Sequence, residues 1–324
     1  MKGLPEFRLS RPESIADAVA ARGAEPDARF LAGGTDLIPN LGRDLGTPSM
    51  LIDLARIPEL GALEVTADGG LRIGAGVTLA RLAAEPAVVE RFAAIARAAA
   101  SVAGPTHRVR ATVGGNLCLD TRCLYYNESD WWRSGQGYCL KYGGEKCHVV
   151  IKSDRCYAVY SGDLAPALLV LGTEVELAGP DGSRSLALTE FYREDGKTPL
   201  AMLPQELIVA VHVPPPRGLR TTYEKVRARD AIDFPVVGVA CALERAGDRL
   251  RTLRLAYTGT NSCPVLVRGL EERIDAPLDD DLIRELSEFA EKQLAPLRTT
   301  TTAPRYRRRA ARLLTGQAIS RLAG

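Results

Sequence analysis

Apolar residues recur at helical spacing in "RPESIADAVAARG", where Ser14 and Asp17 form a capping pattern, an alanine-rich body follows and Gly23 offers a stop. "ARFLAGG" then predicts a short strand entering a glycine turn, and "TDLIPNLGR" a helix opening that Thr35 or Asp36 can cap. "GGLRIGAGVTLARLAAEPAVVERFAAIARAAASVAG" predicts a strand and two alanine-rich helical stretches ending at Gly104, and "RVRATVGGNLCL" a second apolar segment broken by Gly114, Gly115 and Asn116. Farther on, "SGDLAPALLVLGTEVEL" suits a buried helical turn and then a strand.

"QELIVAVHVPPPRG" is a strand stopped by prolines, which places a domain boundary near residue 217. Beyond it, "TTYEKVRA", "FPVVGVACALE" and "LRTLRLAYTGTNSCPV" predict strands, and 279–294 and 303–323 amphipathic helices, the outline of a smaller α+β unit over 218–324. Residues 120–160 break the pattern. They hold both tryptophans and six of the ten tyrosines without a sustained period, so this segment needs something other than a core to hold it.

Composition alters this picture little. A chain of 324 residues, 46% hydrophobic and 25% charged, is ordinary globular protein, long enough for two or three compact units. No apolar run reaches the roughly 18 residues of a membrane span, and the N-terminus lacks a charged segment followed by an apolar one. A net charge of +2 gives no polyelectrolyte character, and the one basic cluster, "RYRRRAARLL", is interleaved with Ala and Leu as on a solvated helix face. The expectation is a cytoplasmic protein with no nucleic-acid or membrane partner.

Candidate chemistry concentrates in two places. The turns "AGGTD" and "ATVGGN" each offer consecutive amides free of Cβ obstruction beside hydroxyl or amide side chains, a make-up that suits a pyrophosphate. The fingerprint-like "RIGAGVTLA" fails because Leu79 stands at the third glycine position, which makes Gly74 and Gly76 structural. Gly196-Lys197-Thr198 ends like a phosphate loop, but Phe191 occupies its first glycine position, so Lys197 belongs to a surface turn. With three histidines and neither H-E-x-x-H nor G-x-S-x-G, no catalytic residue is assigned.

The second place is the irregular segment, where Cys123, Cys139, Cys147 and Cys156 follow a C-x15-C-x7-C-x8-C spacing. Seven cysteines in a chain without secretory features argue against a disulfide framework. Spacing alone leaves a structural zinc, an iron–sulfur cluster and free thiols open. His148 can replace one ligand or be a solvated surface residue, and Cys241 and Cys263, in strand-like sequence, read as small buried hydrophobes.

The blocks "RPESIADAV", "LAGGTDLIP", "IGAGVTL", "RATVGGN", "SGDLAPALL", "LIVAVHVPPP" and "YEKVRARDAIDFPVVGVA" together resemble, in order and over nearly the whole chain, the FAD-binding medium subunits of molybdenum hydroxylases of the xanthine and carbon monoxide dehydrogenase type. The resemblance implies an α+β fold: a two-part FAD-binding domain over 1–217, with subdomains of about 1–55 and 56–217, followed by the smaller C-terminal domain. It implies that Phe30, Leu31, Ala32, Gly33, Gly34, Thr35, Asp36 and Leu37 wrap the FAD pyrophosphate and ribose, with Gly33 and Gly34 letting the backbone approach. Ala111, Thr112, Gly114, Gly115 and Asn116 would form a second phosphate cradle. Asp163 would bond the flavin polyol region, Ile208 and Lys225 would lie beside the isoalloxazine ring, and Val102 would line the pocket.

Within that family the four-cysteine insertion resembles the β-subunit type of 4-hydroxybenzoyl-CoA reductases, which implies a [4Fe-4S] cluster on Cys123, Cys139, Cys147 and Cys156. Electrons would then pass from ferredoxin through the cluster and FAD to [2Fe-2S] centres in a small partner subunit and a molybdenum cofactor in a large one, within a heterotrimer that dimerises. There, 4-hydroxybenzoyl-CoA would be dehydroxylated to benzoyl-CoA in anaerobic breakdown of aromatic compounds. Two other readings stand beside it: an FAD subunit of an aldehyde-, purine- or CO-oxidising enzyme, and a nucleotide-binding regulatory protein with structural zinc.

Overall fold

The computed structural model describes residues 3–324, and three sheets organise them in chain order. The first is parallel, with β3 (Met50–Asp53) between β1 (Arg8–Ser10) and β2 (Arg29–Leu31). Parallel strands need a crossover, and the helix Ile15–Ala24 supplies the one from β1 to β2, on either side of β3. Its start is the expected one, since the Ser14 hydroxyl accepts from the Asp17 amide, while its end runs one residue beyond Gly23.

The second sheet is antiparallel: β4 (Leu63–Val65), β5 (Leu71–Gly74), β6 (Glu174–Gly179), β7 (Gly182–Ala187) and β8 (Leu207–Val213) lie in the order β4-β5-β8-β6-β7. The alanine-rich helix Ala93–Ser101 and the buried helix Leu164–Leu169 share its core, with Ala94, Ala98, Ala99, Ala165 and Ala167 fully buried in it. Everything between residues 122 and 159 leaves this unit as one excursion. Its base is closed by a backbone bridge, in which the Arg122 amide donates to the Val159 carbonyl at 2.9 Å and the Val159 amide to Arg122 at 2.7 Å.

The third sheet, β9 (Arg220–Val226), β10 (Val237–Ala246), β11 (Arg249–Thr258) and β12 (Val265–Leu266), is antiparallel in the order β12-β11-β10-β9. The unbroken apolar run of β10 is explained by burial on both faces. Val237, Val239, Cys241 and Leu243 face a core shared with the helices Asp280–Lys292 and Pro304–Ala323, whereas Ala240 and Ala242 face the core of the preceding sheet. Side-chain alternation therefore appears as large against small rather than apolar against polar.

Four local expectations are corrected. Neither Thr35 nor Asp36 caps the helix Leu37–Leu41 with its side chain. Gly114, Gly115 and Asn116 are not a turn between apolar segments; they lie inside the helix Val113–Leu117, because Thr112 caps it and accepts from the Gly115 amide. Cys263 lies half-buried in a bend after β11 rather than in a strand, whereas Cys241 is wholly buried. In the basic cluster, Arg307 turns inward and donates to the carbonyls of Gly259 and Leu297, and burial lowers its guanidinium to about 10. The flanking arginines stay exposed. Among the described residues no helix is long and apolar enough to cross a membrane.

Candidate FAD and cysteine sites

The two glycine segments meet. A Cβ on Gly33 would stand 1.8 Å from the Arg110 carbonyl oxygen, so glycine is required there by the neighbouring segment itself, not only by a ligand. Gly34 has φ +73°, the left-handed region. Among the described residues nothing accepts from the amides of Gly33, Gly34 or Thr35, and all of 30–38 is half-buried. That row of available donors in a partly open groove suits a pyrophosphate.

The second segment differs. The Val113 amide donates to Val77, Gly114 to Ala75 and Gly115 to the Thr112 hydroxyl, so these amides already have acceptors. What this segment leaves open is the face carrying Ala111, Gly115 and Cys118, the last two of them exposed. Asn116 is buried and turned away from that face: its Oδ1 accepts from the Leu164 amide at 3.0 Å and so fixes the helix that begins after Asp163.

Asp163 belongs to a second group. Its carboxylate accepts from the Tyr223 hydroxyl at 2.6 Å and from Lys225 Nζ, which also donates to the Ser101 carbonyl at 3.1 Å, next to Val102. Lys225 is thus a buried cation and not a surface charge. Burial raises the Asp163 carboxyl and lowers the Lys225 ammonium, and their attraction opposes both shifts. Tyr223 is a site residue that the sequence reading misses. It stands two residues before Lys225 on β9 and shares its face, so the period-2 pattern of "TTYEKV" is the signal that could have found it. Ile208 lies buried in β8; beside it the Val209 carbonyl accepts from the Ala75 amide, and the Ala75 carbonyl accepts from Gly114.

Asp36 faces away from the groove. It accepts from Asn40 Nδ2 at 2.9 Å and from the Asp120 amide, and burial with the nearby Asp120 carboxylate raises its pKa. Asn40 in turn accepts from Arg122 Nη1, and Arg122 Nε donates to Asn127 at 2.7 Å. The groove loop and the cysteine-rich excursion are therefore joined by one polar network.

In that excursion Cys123, Cys139, Cys147 and Cys156, from four separate loop segments, line one cavity with Tyr125, Tyr126, Lys141, His148, Val149 and Ala158. All four are buried and none is in a disulfide. Backbone amides already point at two sulfurs: those of Tyr125 and Tyr126 at Cys123, and that of Ala158 at Cys156 at 3.3 Å. Burial pushes the thiols of Cys123 and Cys156 up to about 11, and at Cys156 the Ala158 amide and the Lys141 ammonium oppose that rise. Among the described residues no group of three or more His, Cys, Asp or Glu side chains is arranged to hold a metal ion. His148 is half-buried rather than solvated, its Nε2 3.1 Å from the Tyr138 carbonyl and its ring against Tyr125.

Residues 5–216 match the model of the FAD binding domain in molybdopterin dehydrogenase, and 221–322 that of the CO dehydrogenase flavoprotein C-terminal domain. The chain belongs to the FAD-binding subunits of the molybdenum hydroxylase family. It is 38% identical over 250 residues to the FAD-binding subunit of an aldehyde oxidoreductase of Escherichia coli strain K12, covering 74% of this chain and 78% of that one. It is 28% identical to the carbon monoxide dehydrogenase medium chain of Afipia carboxidovorans, covering 97% and 96%. A solved CO dehydrogenase from Oligotropha carboxidovorans superposes with a TM-score of 0.82 at 25% identity, covering 99% of each chain. As a member of this family the chain is a flavoprotein subunit of an oxidoreductase, with the expected two-domain α+β fold.

Proposed function

We propose that this flavoprotein subunit carries a [4Fe-4S] cluster besides FAD, and that it conducts electrons within a complex whose molybdenum cofactor and [2Fe-2S] clusters reside on a large and a small partner chain. What supports the reading is the convergence of four buried, unpaired thiols in one cavity, together with the resemblance of the four-cysteine insertion to the 4-hydroxybenzoyl-CoA reductase type.

When bound, FAD and the cluster supply the exchange between two-electron and one-electron chemistry, and the protein's part is binding and orientation. The amides of Gly33, Gly34 and Thr35 would hold the pyrophosphate, with Phe30 to Leu37 and the open face of Ala111, Thr112 and Gly115 as walls. Asp163 would meet the polyol, and Val102, Ile208 and Lys225 the ring.

For the reaction, the 38% identity to an aldehyde oxidoreductase subunit favours oxidation of an aldehyde at the partner's molybdenum centre. A second reading, reduction of 4-hydroxybenzoyl-CoA with ferredoxin as donor, rests on the four-cysteine insertion.

The test is iron, acid-labile sulfide, zinc and flavin content of the anaerobically purified complex, wild type beside Cys139→Ala. About four irons and four sulfides per FAD, falling in the variant, are expected, and zinc without sulfide would sink the cluster. Turnover of an aromatic aldehyde with an artificial acceptor, against turnover of 4-hydroxybenzoyl-CoA with reduced ferredoxin, separates the two reactions.

A further inference from the structure

We propose that Lys141 is a fixed cation that sets the reduction potential of the cluster, holding it higher than the thiolates and the apolar wall alone would. The inference rests on the cluster proposed above and concerns a residue to which that reading gives no role. Lys141 lines the four-cysteine cavity, and its side chain is 6% exposed. Its ammonium donates to Asp120 Oδ1 at 2.7 Å, the Thr121 carbonyl at 2.9 Å, the Gly196 carbonyl at 2.8 Å and the Thr121 hydroxyl, with the Tyr126 ring centre 4.9 Å away.

Four acceptors around three protons leave the ammonium no freedom to turn elsewhere. Taking an ammonium out of water costs several kcal/mol, and an apolar side chain would fill such a place at less cost, so packing does not explain it. The other buried cations of this region have different occupations. Arg122 serves Asn40 and Asn127, and Arg133 serves the carbonyls of Tyr126 and Asp44 with its plane over Tyr142. Lys141 alone of the three lines the cavity.

Reduction of a thiolate-bound cluster by one electron adds one negative charge in a low-dielectric place. A cation fixed nearby stabilises the reduced form more than the oxidised one, and the potential rises. Asp120, 34% exposed, is the counter-charge that offsets part of this effect. The two residues must therefore act with opposite signs: neutralising Lys141 makes reduction harder, and neutralising Asp120 makes it easier.

The experiment is a dithionite titration of the anaerobically purified complex followed by electron paramagnetic resonance, with iron content measured on each sample. Lys141→Gln is expected to lower the reduced-to-oxidised ratio at fixed potential about tenfold, or about 59 mV for a one-electron couple. Lys141→Arg should stay near wild type and Asp120→Asn should shift the opposite way. Unchanged potentials at wild-type iron content, or shifts of one sign in both neutralised variants, overturn the assignment. If Lys141→Gln loses its iron, Asp120→Asn decides alone: an upward shift supports the role and no shift overturns it. A wild-type complex without iron and sulfide defeats the cluster itself, an outcome distinct from either.

Discussion

Asp163 and Lys225 form a buried ion pair, their charged atoms 3.0 Å apart and their side chains 4% and 5% exposed. One follows the excursion and opens the helix Leu164–Leu169, and the other lies on β9 of the third sheet. The pair ties the FAD-binding domain to the C-terminal domain.

Removing either partner leaves an uncompensated buried charge. Asp163→Ala and Lys225→Met are each expected to cost about 3–5 kcal/mol in chemical denaturation and to lower flavin content. The double variant should cost less than the sum of the two, and simple additivity in that cycle would show that the pair is not coupled.

Gly33→Ala puts a Cβ 1.8 Å from the Arg110 carbonyl, a backbone atom that cannot move without its segment. The expected result is loss of bound flavin together with a lower Tm. Gly34→Ala, at φ +73°, is expected to cost about 1–2 kcal/mol with less displacement of the groove. Full flavin occupancy in Gly33→Ala, read from the absorbance ratio, would count against the packing role.

Asp36 carries a pH signature. Its folded carboxyl is raised by burial and by Asp120, against the opposing Arg122 and the hydrogen bond from Asn40, so the folded state holds its proton to higher pH than the unfolded chain. Stability from this group is present at low pH and is lost as pH rises through the carboxyl range. Asp36→Asn, neutral throughout, should therefore raise the Tm of the flavin-free protein at pH 7, with the gain vanishing in acid. A gain that persists unchanged at low pH would contradict this origin.

Thr112 caps the helix carrying Gly114 and Gly115. Thr112→Ala is expected to cost about 1 kcal/mol and Thr112→Ser to restore most of it, measured by denaturant midpoints.

The cysteines divide by position. Replacing Cys123, Cys139, Cys147 or Cys156 should each deplete iron, whereas Cys118→Ser and Cys241→Ala, outside the cavity, should leave it at the wild-type level. Equal depletion by Cys241→Ala would mean that iron content follows general stability instead.

The sequence by itself determined what depends on neighbours along the chain: the Ser14 cap, the strand before the first glycine turn, the apolar run of β10 and the two C-terminal helices. Each follows from local spacing, since a 3.6-residue or two-residue period is a property of adjacent positions. The four cysteines were also legible as a group, because thiols crowded into one segment without a sustained period stand apart from the rest of the chain.

Tertiary structure decided what distant segments do to each other. Only the fold shows that Gly33 is compelled by Arg110, that the amides of Val113, Gly114 and Gly115 are already bonded, and that Asp36 turns toward Asp120 and Arg122. The same holds for Lys141, one charged residue among many until the cavity closes around it. Hydrogen-bond saturation and desolvation are set by whichever groups arrive from elsewhere in the chain, and no local period encodes that.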